Sequence, residues 1–113
     1  MHELAITQSM NDLVTGLAQQ ASAKKVTRIN MTIGGMTGVV ADCVQFCFGM
    51  ISQGGMTEGA ELIINTLPSQ ARCLACNRTA ELREMDYSCP FCQSNQLEIT
   101  AGRELLIDSI EVE

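Results

Sequence analysis

The chain has 113 residues, 46% of them hydrophobic, and a formal net charge of −6 at pH 7. This length suffices for one core of ordinary size plus a small module. The acidic balance removes the phosphate attraction that dominates nucleic-acid affinity, which argues against a DNA- or RNA-binding protein. No apolar run approaches the roughly twenty residues of a membrane span, and the first residues lack the features of a signal peptide. We therefore expect a cytoplasmic protein that binds neither membrane nor nucleic acid.

Five segments have the apolar periodicity of regular secondary structure. Residues 4–23 place apolar side chains at intervals of three and four, which predicts an amphipathic helix at the start of the chain. Residues 26–33 alternate between apolar and polar side chains, which predicts a strand. A pair of glycines after residue 33 ends this strand. Residues 40–51 again place apolar side chains at intervals of three and four, which predicts a second helix. Residues 60–67, stopped by a proline, and residues 105–112 predict two further strands.

These elements predict an α+β fold in which two helices pack on one face of a three-stranded sheet. A cysteine-rich module at residues 70–98 interrupts the chain between its last two strands. We expect one domain from residues 1–69 and 99–113 and a second, inserted domain from residues 70–98. Periodicity leaves open which strand is central.

The inserted module contains two Cys-x-x-Cys pairs with twelve residues between the inner cysteines. Two thiolates separated by two residues reach one ion from a tight turn, and a second pair completes the tetrahedral sulfur set that suits Zn²⁺. Two disulfides or a redox pair are the alternatives; disulfides need an oxidising compartment, and a redox pair needs no second pair beside it. Arg72 and Arg78 offset some of the thiolate charge. The predicted ligands of a structural zinc are Cys73, Cys76, Cys89 and Cys92.

Catalysis is not expected. The sequence has no Gly-rich phosphate loop, no Ser-His-Asp set and a single histidine, which limits general acid-base chemistry. We expect a protein that is not an enzyme.

That single histidine, His2, follows the α-amine of Met1. The amine, the deprotonated amide nitrogen of His2 and its imidazole can form fused chelate rings, and nitrogen ligands in a plane suit Ni²⁺ or Cu²⁺. The alternative is a solvated histidine near a chain end. Glu3 has a similar alternative, because an acid in the first turn of a helix interacts favourably with the helix dipole whether or not it binds metal.

The other sulfur-containing residues are predicted to fill the core. Cys43 and Cys47 lie four residues apart on the second predicted helix, and small thiols are common in protein interiors. The methionines are scattered without a Met-x-x-Met cluster, which favours packing over copper binding.

Several short motifs occur in a characteristic order and spacing along the chain: Met1-His2-Glu3-Leu4, Ile33-Gly34-Gly35, Phe46-Cys47-Phe48, Thr57-Glu58-Gly59-Ala60, the two Cys-x-x-Cys pairs and Ile110-Glu111-Val112-Glu113. With these motifs the chain resembles the HypA/HybF family of hydrogenase nickel-incorporation proteins nearly end to end. One departure concerns the residue after the last cysteine, where the family commonly has glycine and this chain has Gln93; a left-handed backbone there would be strained.

The resemblance implies a metallochaperone that delivers Ni²⁺ to the large subunit of a nickel-iron hydrogenase and works with a GTPase accessory protein. It implies a nickel site at His2 with Glu3 nearby, to which the Met1 amine adds a ligand, separate from the zinc. Nickel is then the cargo and zinc the structural metal. We expect a monomer or a weak homodimer.

Two other function classes remain open. A zinc-ribbon module would bind a protein partner through residues 82–85 without nickel chemistry. A redox protein would cycle its cysteines through a thiol of low pKa.

Overall fold

The computed structural model describes residues 2–82 and 87–113. Met1, a predicted nickel ligand, and residues 83–85 of the predicted partner surface lie outside this part of the chain. The elements are α1 (Glu3–Gln20), β1 (Val26–Gly34), a 3₁₀ turn (Gly35–Thr37), α2 (Ala41–Ile51), β2 (Glu61–Leu67), β3 (Ser69–Cys73), β4 (Thr79–Leu82), β5 (Leu97–Ala101) and β6 (Leu105–Val112).

The main sheet has the strand order β2-β1-β6, so β1 is central. It pairs in parallel with β2, where Met31 lies opposite Ile64, and antiparallel with β6, where Ile29 lies opposite Ile110. Alternation along β1 buries Ile29, Met31 and Ile33 beneath the helices. The other face carries polar side chains, including Arg28, which forms an ion pair of 2.9 Å with Glu111.

The two helices close the apolar face of this sheet, as predicted. Met10, Val14 and Ala18 of α1 join Val44 and Phe48 of α2 in one core cluster with the central strand. Burying these side chains supplies the main stabilisation of this half of the molecule.

Two predictions for the sulfur-containing residues of α2 fail. Cys43 is exposed and Met50 has half its surface exposed, because both lie on the side of α2 that faces away from the sheet. The core role of methionine is confirmed at Met10 and Met31.

The cysteine-rich insertion builds a second sheet of its own, with the order β4-β3-β5, all antiparallel. It joins the main sheet where the chain leaves β2 and returns to β6. Gly34 lies so close to this junction that a Cβ atom there would overlap the backbone of Gly102, and the Met36 amide donates to the Gly102 carbonyl at 2.7 Å.

No helix among the described residues is long and apolar enough to cross a membrane.

Candidate metal centres

Each Cys-x-x-Cys pair lies on a tight turn of the same construction. The Asn77 amide donates to the Cys73 carbonyl, and the Gln93 amide donates to the Cys89 carbonyl, both at 2.8 Å. The residue after each pair has a left-handed backbone, with φ of 63° at Asn77 and 64° at Gln93. Asparagine tolerates this conformation better than glutamine does, so the strain predicted at Gln93 is present.

These turns bring the four sulfur atoms together. The Cys73 and Cys92 Sγ atoms are 3.5 Å apart, the Cys76 and Cys89 Sγ atoms are 3.7 Å apart, and all four lie within 4.8 Å of one another. A tetrahedral zinc with bonds of about 2.3 Å places its sulfur ligands about 3.8 Å apart. The cluster therefore fits a structural zinc ion, whose sulfur ligands would be these four thiolates.

The electrostatics of the cluster also favour a cation. The backbone amide of Cys76 donates to the Cys73 sulfur at 3.4 Å, and this hydrogen bond is the main reason why the pKa of Cys73 falls to about 6. At Cys92 the Ser94 amide lowers the pKa, but the Cys73 sulfur, desolvation and the other two sulfurs together outweigh it and raise the pKa to about 12. The first thiolate forms readily and the last only with difficulty, so a bound cation is needed for all four to ionise together.

The arginines expected to offset the thiolate charge have other partners. Arg72 pairs with Glu98 at 2.7 Å and donates to the Asn77 side chain at 2.8 Å. The Arg78 guanidinium stacks 5.0 Å from the centre of the Phe91 ring, which joins the two turns across the cluster.

The first turns of α1 and α2 border one open pocket of about 500 Å³. His2 is the N-cap residue of α1, and its side chain is exposed. The pocket is lined by His2, Glu3, Leu4, Asp42, Cys43, Phe46 and Cys47.

The Glu3 side chain links the first turn of α1 to the start of α2. One of its carboxylate oxygens accepts a hydrogen bond of 3.0 Å from the amide of Val40, the N-cap residue of α2. This bond is the main reason why the pKa of Glu3 lies below its ordinary value of 4.5. Glu3 is therefore a carboxylate at neutral pH, beside His2 and at the positive end of α2.

His2 and Glu3 were predicted from the sequence as site residues, and the structure brings them together with Asp42, Cys43 and Cys47 of α2. No sequence pattern indicated that these α2 residues share the pocket with them. Periodicity describes each helix separately and gives no sign that their first turns lie side by side.

Comparison with known proteins agrees with these observations. A fold of two helices on a small sheet, with an inserted four-cysteine module, defines a small metal-binding α+β protein. The family model described as "Hydrogenase/urease nickel incorporation, metallochaperone, hypA" matches residues 1–112. The chain belongs to this HypA/HybF family.

Two similar relatives are hydrogenase maturation factors. The chain is 41% identical to hydrogenase maturation factor HypA of Dehalococcoides mccartyi, over all of this chain and 95% of the relative. It is 34% identical to hydrogenase maturation factor HybF of Escherichia coli, over the full length of both. Hydrogenase nickel incorporation is therefore the function class of the family, and nickel is its cargo metal.

Solved structures agree in fold. The solution structure of the nickel metallochaperone HypA from Helicobacter pylori superposes with a TM-score of 0.67 at 24% identity, covering 99% of this chain and 97% of that one. A second HypA solution structure superposes with a TM-score of 0.71 at 24% identity, covering all of this chain and 97% of that one.

Proposed function

We propose that this protein is a nickel metallochaperone that binds Ni²⁺ at its N-terminus and helps insert it into the large subunit of nickel-iron hydrogenase during maturation. The nickel ligands are Met1, His2 and Glu3. A GTPase nickel accessory protein and the large-subunit precursor are its partners, and the protein catalyses no reaction itself. The supporting observation is that the only histidine of the chain lines an open pocket between two helix starts in a nickel-incorporation family.

The chemistry of the terminus suits nickel. The Met1 amine, the His2 amide nitrogen and the His2 imidazole form fused chelate rings, and such planar nitrogen ligands favour Ni²⁺ or Cu²⁺. His2 precedes the first helical residue, so its amide is not needed for the hydrogen bonds of α1. The amide can therefore lose its proton to a metal without breaking the helix.

Glu3 adds negative charge beside the ion. Its carboxylate is ionised at neutral pH because the Val40 hydrogen bond lowers its pKa. A fixed carboxylate stabilises a divalent cation and orients the first turn that carries His2. Asp42 lies in the same pocket, so the cation enters surroundings of negative charge.

The zinc ribbon has a separate, structural role in this proposal. Cys73, Cys76, Cys89 and Cys92 hold zinc within the domain of residues 70–98, and nickel binding belongs to the domain of residues 1–69 and 99–113. Because the metal supplies most of the folding free energy of such a module, zinc keeps it ordered for contacts with partners.

Calorimetric titration of zinc-loaded protein with Ni²⁺ tests the nickel site. The wild-type protein should bind one nickel ion, and His2→Ala should weaken binding at least tenfold while zinc content and fold stay unchanged. Ser9→Ala, an exposed change on α1, is the matched control and should bind nickel normally. In cells lacking the native gene, His2→Ala should fail to restore hydrogenase activity. Absence of nickel binding by the wild-type protein would favour a zinc-ribbon interaction module without nickel chemistry. Equal nickel binding by all three proteins would contradict the site at His2 and move it to other residues.

A further inference from the structure

Two thiols on α2 line the open pocket between the starts of α1 and α2, although they were expected to fill the core. Cys43 and Cys47 are one helical turn apart and both line the pocket that contains His2. Cys43 is exposed, Cys47 is half-buried, and neither is in a disulfide. Within residues 2–82 and 87–113, no hydrogen bond engages either sulfur. No local partner accounts for this pair, and core packing does not account for the exposed Cys43.

The helical spacing favours a metal ion over a disulfide between these thiols. Residues at i and i+4 of a helix have Cβ atoms about 5–6 Å apart. A disulfide draws the Cβ atoms to about 3.8 Å, which would distort α2. A metal ion with two bonds to sulfur of about 2.3 Å tolerates sulfur atoms more than 4 Å apart. The undistorted helix can therefore clamp an ion between Cys43 and Cys47.

We infer that Cys43 and Cys47 form a second metal site for a thiophilic ion such as Cu⁺, with the imidazole of His2 as a third ligand. Soft thiolate ligands select Cu⁺ over harder divalent ions, and Cu⁺ is stable with only two or three ligands. Among the described residues, the ribbon cysteines are the group of three or more donors whose ligand atoms already lie within 4.8 Å. The pair on α2 thus offers two thiol ligands beside His2, and the third bond requires the exposed His2 side chain to turn toward the ion.

The binding step needs no oxidant or reductant. Each thiol releases one proton, two copper–sulfur bonds form, and the copper ion keeps its charge of +1 throughout. The neutral imidazole of His2 adds its lone pair to the copper ion and releases no proton.

Sharing His2 makes the two metals competitors, a consequence that rests on the proposed nickel site. Copper held by Cys43 and Cys47 draws the imidazole away from the terminal chelate and lowers nickel uptake. The thiol pair itself does not depend on nickel, because it lies entirely on α2.

Cu⁺ transfer from a bicinchoninate complex to zinc-loaded protein, under reducing and anaerobic conditions, tests the site. Copper uptake is followed by loss of the coloured complex, and zinc release is followed with a second indicator. The wild-type protein should take up one equivalent of Cu⁺ before any zinc leaves the ribbon. Cys43→Ser changes an exposed residue and should not affect folding, yet it should lower the affinity for this first Cu⁺ ion at least tenfold. Cys47→Ser should do the same, and Met50→Leu, another exposed change on α2, is the matched control.

The outcomes separate this site from the ribbon and from the nickel chelate. If the first equivalent of Cu⁺ displaces zinc equally in wild-type and Cys43→Ser proteins, copper enters the ribbon and the inference is wrong. His2→Ala should weaken Cu⁺ binding but retain it, because two thiolates remain. Loss of copper in Cys43→Ser with nickel binding unaffected by His2→Ala would uphold the thiol site and refute the proposed nickel site. Copper binding unaffected by Cys43→Ser, together with nickel binding weakened by His2→Ala, would uphold only the nickel site.

Discussion

The Glu3 carboxylate accepts a hydrogen bond from the Val40 amide, so the first turn of α1 fixes the start of α2 across 37 positions of sequence. This bond lowers the pKa of Glu3. A carboxylate whose pKa is lower in the folded state stabilises the fold above its unfolded pKa, and this contribution is lost as the pH falls through the folded value. Glu3 should therefore stabilise the protein at neutral pH and cease to do so in acid below pH 4.5, the ordinary value.

We predict that Glu3→Ala lowers the urea midpoint of unfolding at pH 7 more than Glu3→Gln does, because glutamine still accepts a hydrogen bond. The difference between wild-type and Glu3→Gln proteins should shrink as the pH falls below the ordinary value of 4.5. Urea titrations of the three proteins at several pH values provide the measurement. A Glu3→Gln difference that grows in acid would mean that the Glu3 pKa is raised, contrary to the hydrogen bond.

The left-handed backbone at Gln93 predicts a stabilising substitution. Glycine adopts a φ of 64° without strain, so Gln93→Gly should stabilise the zinc-bound ribbon by about 1 kcal/mol. That gain corresponds to about a fivefold lower zinc dissociation constant. Competition with a chromophoric chelator measures it.

Asn77→Gly is the matched control for this change. Asparagine already tolerates the left-handed conformation, and its side chain accepts a hydrogen bond from Arg72, so its replacement should bring little or no gain. Weaker zinc binding by Gln93→Gly than by wild type would show that the glutamine conformation is not strained.

Replacing any ribbon cysteine by serine should release tightly held zinc and unfold the second sheet, because zinc binding supplies most of the folding free energy of this module. The helices and the main sheet should persist, since their core contains none of these cysteines. Zinc content by atomic absorption and far-UV circular dichroism measure the two effects. Cys43→Ser should keep its zinc. A ribbon variant that retains one zinc per chain with unchanged affinity would exclude four-sulfur ligation.

Much of this fold was predictable because its elements have strong periodicity. The helices and the strands of the main sheet follow from apolar spacing that burial confirms, as at Ile29, Met31 and Ile33. The four-cysteine cluster follows from ligand spacing. The left-handed backbone at Gln93 follows from the glycine that the family commonly has at this position.

The rest depends on packing that local patterns do not encode. Strands β3, β4 and β5 have only 5, 4 and 5 residues, and their pairing reflects closure of the ribbon rather than apolar alternation. The pocket requires the starts of two helices to lie side by side. The exposure of Cys43 follows from which side of α2 faces the sheet, and the spacing of Cys43 and Cys47 alone fits either a core face or a pocket wall.

The proposed nickel site depends on the free amine of Met1, so blocking that amine is the most direct test. Acetylation removes one ligand and abolishes the fused rings but leaves the His2 imidazole, the ribbon and the fold unchanged. Calorimetric nickel titrations of zinc-loaded protein, with the amine free or acetylated, should show a loss of affinity of at least tenfold on acetylation with equal zinc content. Undiminished nickel binding by the acetylated protein would contradict the N-terminal site and move it to other residues of the pocket.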